Sequence, residues 1–460
     1  MVSVGLMAMG LAGGGVVAVG TAYGLQVDPP PDGTQVTASG VGVPGTGRLT
    51  DPVDPADREH AGAGFPGEGS GLQEVGVEES VDRRITYTGE RSTRLRFPNA
   101  DFVKVRLSRI QLLPGDRVTV ANPERSEVHT YRGDPREERF SDDSPVTYDE
   151  NGDPWALSIT GDTAIVTLHA SLEADRLDPK ARAKLDLGSA GKAKVNSDPG
   201  SAAGDLIGDL SGYGVTVKEV AVGRAKDEAP AKPGSEESIC GQDNQRDAVC
   251  YKSTAPAIYA RSRPVARLLV NGRLLCTAWR IGPSNRMITN NHCLSQTGEA
   301  RSTELWFNYE CGTCGVWGLS PVTKVVGSSV LATDAALDYT LFTVDDFNLI
   351  RDFGYLTLET RSAVAGEKVY IPQHADGAPK TVGIASDSDS SGQCMIDSPR
   401  YAGNFTDSDV SYYCDTSTGS SGSPVLSLET HKVIALHHFG GCPNSGVRSD
   451  LLYRAISDKI

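Results

Sequence analysis

The chain has 460 residues, about three times the ~150 of a typical domain, so a single hydrophobic core is not expected to hold all of it. Gly contributes 51 residues and Pro 26, which is below the ~25–30% combined share typical of wholly disordered chains. The net charge of −15 would repel a phosphate backbone and argues against nucleic-acid binding.

The cysteines are confined to the second half of the chain. They are Cys240, Cys250, Cys276, Cys293, Cys311, Cys314, Cys394, Cys414 and Cys442. Such crowding predicts disulfides formed in an oxidising compartment. Because nine is an odd number, at most four bridges form and one thiol is left over.

The first residues, 1–24, have the character of a signal peptide. The run 1–22 is apolar and uncharged, and Gly20 and Ala22 suit a signal-peptidase site. No Lys or Arg precedes this run, so a flexible tail is the alternative interpretation. Together with the cysteines, the segment predicts a secreted, extracellular protein.

Composition then divides the chain. Residues 25–80 are rich in Gly, Pro, Asp and Thr and predict a disordered linker. Residues 81–225 contain short alternating segments with turn residues between them, which predicts an accessory β-sandwich. Within it, about 172–211 predicts a mobile insertion, and 226–237 reads as a second linker.

The part at 238–460 is also β-rich. Asn271-Gly272 joins the apolar runs 265–270 and 273–279, a typical hairpin signal. The only predicted helix is at 451–460. The fold class is therefore all-β, with closed Greek-key barrels expected in this part.

Three motifs of the cysteine-bearing half carry residues suited to nucleophilic catalysis. They are 287–293 (MITNNHC), 337–344 (LDYTLFTV) and 419–426 (GSSGSPVL). Serine is a weak nucleophile at neutral pH and needs a base within hydrogen-bond reach. The motifs present His292, Asp338 and Ser421 in that order.

This order and these motifs resemble the chymotrypsin-like (trypsin-like) serine peptidase family. The resemblance covers about 238–460 and is closest to the bacterial glutamyl and lysyl endopeptidases, in which Gly-x-Ser-Gly-Ser-Pro replaces the animal Gly-Asp-Ser-Gly-Gly-Pro. It implies a double Greek-key β-barrel and a secreted endopeptidase that acts on protein or peptide substrates without a cofactor or metal.

The family mechanism assigns a role to each residue. His292 would take the proton of Ser421, and Asp338 would hold the imidazole tautomer. The amides of Gly419 and Ser421 would form the oxyanion hole. Rival residues for the acid are Asp334, Asp345 and Asp346, and rivals for the nucleophile are Ser420 and Ser423.

The resemblance also implies the disulfide pairs Cys276–Cys293, Cys394–Cys414, Cys240–Cys442 and Cys250–Cys311, with Cys314 as the alternative partner of Cys250. Isolated ligand types, such as Cys311 and Cys314 in a lone C-x-x-C, do not form a zinc-binding pattern, so no metal site is predicted.

Two features bear on substrate choice. Asp415 precedes Ser421 by six positions, where trypsin-like members carry the pocket acid that pairs with Arg or Lys. His437 and His438 precede a Gly-rich wall that includes Gly440, and glutamyl endopeptidases use such a His to bind an acidic side chain. Cleavage after Arg or Lys is the favoured prediction, with glutamyl-type specificity as the alternative.

Position 420 holds Ser where animal members hold the Asp that captures a freed N-terminal amine. The prediction is that any activation removes residues before about 237 without such a switch. Two other functions remain open. The sandwich can be an inhibitory prodomain, or the whole chain can be a non-catalytic protein that binds an extracellular protein or glycan through the sandwich.

Overall fold

The computed structural model describes residues 73–74, 76–113, 115–134, 139–140, 146–149, 152–170, 213–223 and 238–460. The predicted signal-like segment 1–24, most of the linker 25–80, most of the insertion 172–211 and the linker 226–237 lie outside these residues. Within the described part, strands predominate over helices, and the all-β prediction is confirmed. None of the helices in this part is long and apolar enough to cross a membrane.

The N-terminal strands have between two and 11 residues, and the pairings among them are antiparallel. They are β1 Gln73–Glu74, β2 Gly76–Thr86, β3 Ser92–Arg96, β4 Phe102–Gln111, β5 Arg117–Ala121, β6 Val128–Tyr131, β7 Gly133–Asp134, β8 Arg139–Phe140, β9 Val146–Tyr148, β10 Pro154–Ala156, β11 Ile159–Thr160, β12 Thr163–His169 and β13 Gly214–Gly223.

Two of the resulting sheets share one core. One sheet has the order β2-β13-β4-β10-β9, with β11 also paired to β4, and the other has the order β3-β12-β5-β6. Alternating apolar side chains of both sheets form a common buried cluster, which includes Val105, Val120, Val166 and Val217. Strand β13, which follows the predicted insertion, pairs with β2 and β4, as expected.

The predicted linker 25–80 extends too far toward the C-terminus. Strand β2 begins at Gly76 and pairs with β13 from Gly76 to Thr86, and β1 pairs with Leu274 and Leu275 of a later strand. Composition does not predict a strand at the polar residues Gln73 and Glu74. They can nevertheless form one, because backbone pairing at the edge of a sheet places little demand on the type of side chain.

The C-terminal strands are β14 Arg246–Asp247, β15 Val265–Val270, β16 Leu274–Arg280, β17 Met287–Thr289, β18 Thr303–Phe307, β19 Cys311–Thr313, β20 Val316–Leu319, β21 Thr323–Asp334, β22 Tyr339–Val344, β23 Val369–Gln373, β24 Thr381–Gly383, β25 Ile396–Tyr401, β26 Asp409–Tyr412, β27 Pro424–Ser427, β28 Val433–Phe439 and β29 Asn444–Arg448. The α-helices are α1 Tyr251–Thr254, α2 Pro256–Ser262, α3 Thr297–Arg301 and α4 Ser449–Ile456. Short 3₁₀ turns span Ala248–Cys250, Phe347–Leu349, Arg351–Phe353 and Ala375–Gly377.

These strands form two antiparallel barrels. In the first, the order β16-β15-β18-β21-β22-β17 closes because β17 also pairs with β16. In the second, the order β23-β27-β28-β29-β26-β25 closes through a bridge between Lys368 and Met395. A buried cluster that includes Trp279, Leu341 and Leu436 lies between the barrels. The predicted pair of Greek-key barrels is confirmed.

The predicted hairpin is β15–β16, and its turn residues Asn271 and Gly272 have φ values of +52° and +68°, as a type I′ turn requires. The prediction of a single helix is wrong. Helices α1, α2 and α3 have at most seven residues, which is too short for a visible 3.6-residue period. Helix α4 lies close to the predicted position.

The sheet that contains β4, which belongs to the predicted sandwich, packs on the first barrel through buried charges. Lys104 of β4 forms an ion pair with Glu304 of β18, and both side chains are almost completely buried. Glu304 also accepts hydrogen bonds from the amide of Ser158 (3.1 Å) and from Nε1 of Trp306 (2.9 Å). Burial alone would raise the pKa of Glu304, but the charges of Lys104 and Lys324 lower it to about 2.

Further contacts surround this pair. Nζ of Lys324 lies 2.6 Å from the carbonyl of Ser158 and 3.1 Å from Oγ1 of Thr160. Arg267 of β15 is fully buried and pairs with Asp101 at 3.0 Å. The apolar part of the contact consists of Phe102, Leu269, Leu275, Trp306 and Tyr309.

Candidate active site

His292 lies in the turn after β17, where a disulfide holds the backbone. Cys293 is bonded to Cys276 of β16, with the two Cα atoms 6.3 Å apart. The cluster of Cys276, His292 and Cys293 does not offer a thiolate metal site, because its two sulfurs are bonded to each other. The bridge therefore restrains the segment that carries the imidazole.

Asp338 immediately precedes β22 and meets His292 directly. Its Oδ2 accepts a hydrogen bond from Nδ1 of His292 at 2.7 Å, and its Oδ1 accepts one from the His292 amide at 3.0 Å. Asp338 adopts a left-handed φ of +43°, and Nδ2 of Asn290 donates to its carbonyl at 2.9 Å. Asn290 thus holds a strained backbone, a role that the sequence analysis does not assign.

The carboxylate of Asp338 is ionised despite its burial. Burial alone would raise its pKa, but His292 and His438 hold the pKa well below its usual range. A carboxylate in this state accepts the Nδ1–H of His292 and leaves the lone pair of the imidazole on Nε2. Nε2 of His292 is buried and has no hydrogen-bond partner in the described part of the chain.

Ser421 lies in a tight loop between Gly419 and Gly422, whose φ values are +97° and +88°. A Cβ atom on Gly422 would lie 2.1 Å from the carbonyl oxygen of Thr277, so only glycine fits there. The amide of Ser423 donates to the Ser420 carbonyl at 2.9 Å, which closes the turn around Ser421.

Thr277 connects this loop to the strand behind His292. Its amide donates to the carbonyl of Ser421 at 2.8 Å, and its hydroxyl donates to the carbonyl of Gly419 at 2.9 Å. Thr277 follows Cys276, the disulfide partner of Cys293. The Ser421 loop and the His292 turn are therefore tied to adjacent residues of β16, a connection that no sequence motif indicates.

Asp415 does not have the environment predicted for a pocket acid. It is fully buried, and its two carboxylate oxygens accept hydrogen bonds from the amides of Cys240 (2.9 Å) and Asn244 (2.8 Å). Burial raises its pKa, and these amides oppose the increase. The carboxylate thus anchors the segment that starts at 238, which weakens the prediction of cleavage after Arg or Lys.

His438 likewise does not line a pocket. Its ring is 1% exposed and lies between two carboxylates, with Nδ1 3.1 Å from Oδ2 of Asp338 and Nε2 2.6 Å from Oδ2 of Asp409. Asp409 was missed at the sequence level because it lies in no recognisable motif. The neighbouring His437 differs from His438, since alternate residues of β28 point to opposite faces of the sheet.

His437 keeps one ring nitrogen unpaired. Its Nδ1 lies 2.7 Å from the hydroxyl of Tyr412, whereas its buried Nε2 has no hydrogen-bond partner among the described residues. Burial, and then the positive charge of His438, lower the pKa of His437 to about 3, so the ring is neutral at pH 7. The predicted pocket residue Gly440 is half-buried just after the same strand.

The structure contains the predicted disulfides Cys276–Cys293, Cys394–Cys414 and Cys240–Cys442. The pairing Cys250–Cys311 is wrong: Cys250 is bonded to Cys314, and Cys311 is a free, buried thiol. Cys311 lies on the inner face of the β19–β20 hairpin, whereas Cys314 lies in its exposed turn. Spacing alone does not distinguish the two, because it does not specify which face of a hairpin approaches Cys250.

Residues 276–436 match the family model of the trypsin-like peptidase domain. The chain contains a trypsin-like serine peptidase domain. The matched segment includes the positions of His292, Asp338 and Ser421. The assignment of this triad, of the oxyanion amides and of the substrate pocket remains a prediction.

Sequence comparison finds a curated relative that matches about half of the chain. The secreted RxLR effector protein 73 of Plasmopara viticola is 39% identical over 234 residues, which are 49% of this chain and 56% of the relative. The chain thus spans little more than half the length of this relative.

Solved structures similar to the chain include a Glu endopeptidase in complex with MPD, with a TM-score of 0.35, 18% identity, and coverage of 48% of this chain and 98% of the other. The inactive form of the Rv3671c protease of M. tuberculosis has a TM-score of 0.34 and 16% identity, with coverage of 45% and 94%.

Proposed function

We propose that the chain is a secreted serine endopeptidase that hydrolyses peptide bonds through an acyl-enzyme. Ser421 attacks the scissile carbonyl, His292 accepts its proton and then donates it to the leaving amine, and Asp338 orients and stabilises the imidazole. Water attacks the acyl-enzyme in the second half of the reaction, with His292 again as the base.

The observation that carries this proposal is the hydrogen bond of 2.7 Å between Nδ1 of His292 and Asp338. It fixes the tautomer whose free lone pair lies on Nε2, the nitrogen that a serine base uses. The hydrogen bonds of Thr277 hold the Ser421 loop next to the strand that bears Cys276. In an unliganded peptidase, the bond between serine and base often tightens only when substrate binds.

The turn around Ser421 supports the predicted oxyanion role. A positive φ at Gly419 turns the backbone sharply two residues before the nucleophile, which favours an arrangement in which the amides of Gly419 and Ser421 face one oxygen. Each such donor contributes about 2.7–4 kcal/mol to stabilisation of the transition state.

Secretion is supported by two observations. The four disulfides fit an oxidising compartment. In addition, the relative from Plasmopara viticola is named as a secreted protein. The substrates of this chain are accordingly extracellular proteins or peptides.

A fluorophosphonate probe tests the assignment of the nucleophile. We expect the full-length protein to be labelled covalently, and Ser421→Ala to lose all labelling because no hydroxyl remains beside His292. The matched control is Ser423→Ala, since Ser423 is also buried and its hydroxyl has no hydrogen-bond partner in the described residues.

Labelling that survives in Ser421→Ala would contradict the proposal. A wild-type protein that is not labelled at all, although correctly folded, would favour the alternative, a binding protein for extracellular protein or glycan ligands that uses a peptidase scaffold.

For the residue before the scissile bond, the environments of Asp415 and His437 favour an acidic side chain over a basic one. Asp415 already accepts hydrogen bonds from two backbone amides, whereas the buried Nε2 of His437 has no hydrogen-bond partner among the described residues. A substrate carboxylate would satisfy Nε2 and would favour the protonated ring. The glutamyl-type alternative is therefore the proposed specificity.

A peptide panel that differs only in this residue tests the specificity. We expect Glu to be preferred, and His437→Ala to lower kcat/KM for the Glu peptide by roughly 100-fold, because truncation of one partner of a buried charged pair costs several kcal/mol. His431→Ala is a suitable control, since His431 lies in the turn before β28 and its Nδ1 is 3.0 Å from the hydroxyl of Tyr370. Preferred cleavage after Arg or Lys that disappears in Asp415→Asn would contradict this proposal.

A further inference from the structure

Beyond Asp338, a second series of buried charged groups continues the hydrogen bonds of the proposed triad. Nδ1 of His438 lies 3.1 Å from Oδ2 of Asp338, the same oxygen that binds His292. Nε2 of His438 lies 2.6 Å from Oδ2 of Asp409 on β26. Asp409, His438, Asp338 and His292 thus form one continuous line of hydrogen bonds.

The outer end of this line is firmly held. Hydroxyl groups of Ser408 (2.7 Å) and Ser445 (2.8 Å) donate to the two oxygens of Asp409. The ring of Phe439 stacks on His438, with centroids 3.9 Å apart. Asp409 and His438 are both buried, so water does not compete for these bonds.

Two carboxylates require a donor on each nitrogen of His438. An ionised carboxylate only accepts hydrogen bonds, so His438 satisfies both Asp338 and Asp409 only as an imidazolium that is protonated at Nδ1 and Nε2. The other titratable groups around it are His437 on the same strand and His292 beyond Asp338. Neither of these places a further negative charge on His438.

We propose that His438 and Asp409 are positioning residues of the peptidase, in which a cationic His438 holds the carboxylate of Asp338 in place for His292. This inference rests on the proposed function, because it assigns His438 a role in orienting the catalytic acid. It replaces the pocket role predicted from the sequence. His438 does not touch substrate and acts only through Asp338.

The electrostatics of the buried groups support this role. Burial alone would lower the pKa of His438, but Asp409 and Asp338 raise it to about 10. The pKa of Asp409 is lowered, although burial alone would raise it, because His438 and the two serine hydroxyls stabilise its charge. Both ions of the pair are therefore present throughout the neutral pH range.

The first test is NMR of ¹⁵N-labelled histidine in Ser421→Ala, which cannot digest itself. We expect both ring nitrogens of His438 to remain protonated up to about pH 9. In the double variant with Asp409→Asn, we expect the proton to be lost at a pH lower by roughly one unit, since an opposite charge in contact has been removed. A neutral His438 at pH 7 in the parent protein would overturn the inference.

Kinetics give the second test. We expect Asp409→Asn to lower kcat by about tenfold with little change in KM, because the catalytic acid is less well oriented. In the pH profile of kcat/KM for Asp409→Asn, the decrease at alkaline pH is expected closer to neutral pH, since loss of the Asp409 charge lowers the pKa of His438. In His438→Gln, which keeps an amide donor for Asp338 but has no proton to lose, we expect a similar loss of kcat without the shifted limb.

The matched control is Asp397→Asn, in which an exposed carboxylate that accepts a hydrogen bond from Ser411 (3.0 Å) on the same sheet is neutralised. Its kcat and pH profile are expected to match the wild type within about twofold. A wild-type profile in Asp409→Asn would overturn this inference alone, whereas a protein that fluorophosphonate does not label would overturn the proposed function. The NMR result distinguishes the two cases because it needs no activity.

Discussion

Asp338→Asn is expected to lower kcat by about 10⁴-fold, with KM nearly unchanged. In the wild type, Nδ1 of His292 donates to the carboxylate of Asp338 across 2.7 Å, whereas the amide of the new side chain would donate to Nδ1. The imidazole would then carry its proton on Nε2 and could not accept one from Ser421. Initial rates on the best peptide of the panel, normalised to folded protein, measure the effect.

The control for this substitution is Asp345→Asn. Asp345 was one of the rival acids in the sequence, and it is exposed just beyond the end of β22. It is expected to retain wild-type kcat. If Asp338→Asn kept more than a tenth of the wild-type kcat, Asp338 would not be the catalytic acid.

Glu304→Ala is expected to lower the free energy of unfolding by about 3–5 kcal/mol, the usual effect of removing one partner of a buried ion pair. The substitution leaves the charges of Lys104 and Lys324 close together in the buried contact between the sandwich and the first barrel. It also removes the acceptor for Nε1 of Trp306. Urea denaturation followed by tryptophan fluorescence measures the change.

Asp162→Ala is the matched control, since it breaks an ion pair with Arg96 that is largely exposed. Its effect on the free energy of unfolding is expected to be within about 1 kcal/mol.

The same reasoning predicts that the fragment 238–460 does not fold by itself, because Trp306, Glu304 and Arg267 would lose their covering residues. A soluble fragment with more activity than the full chain would contradict this prediction and would support an inhibitory prodomain.

This contact also changes the expected route of activation. Removal of all residues before about 237 would strip the sandwich from Glu304 and Arg267, which are fully buried. These contacts therefore favour a route of activation in which the sandwich stays attached to the peptidase domain over one in which the sandwich is removed. Sequencing of the N-terminus of the active protein, together with its intact mass, shows whether the sandwich is still present.

Much of the candidate site could be predicted because it is encoded locally. The Gly-x-Ser-Gly motif around Ser421 predicts a turn that requires glycine. The motif at His292 predicts the end of a strand beside a disulfide-bonded cysteine. The alternating segments of the barrels and the Asn271-Gly272 turn likewise depend on neighbours a few residues apart. Residue type and short spacing therefore determined the fold class, the barrel hairpin and the proposed triad.

The environments of Asp415, His438 and Cys250 were decided only by the tertiary structure. Asp415 meets the amide of Cys240 across 175 positions, and His438 meets Asp338 across 100. Lys104 meets Glu304 across 200. Whether a buried charge faces a substrate, an amide or another charge depends on which distant segment packs against it, and the local pattern of residues carries no information about that segment.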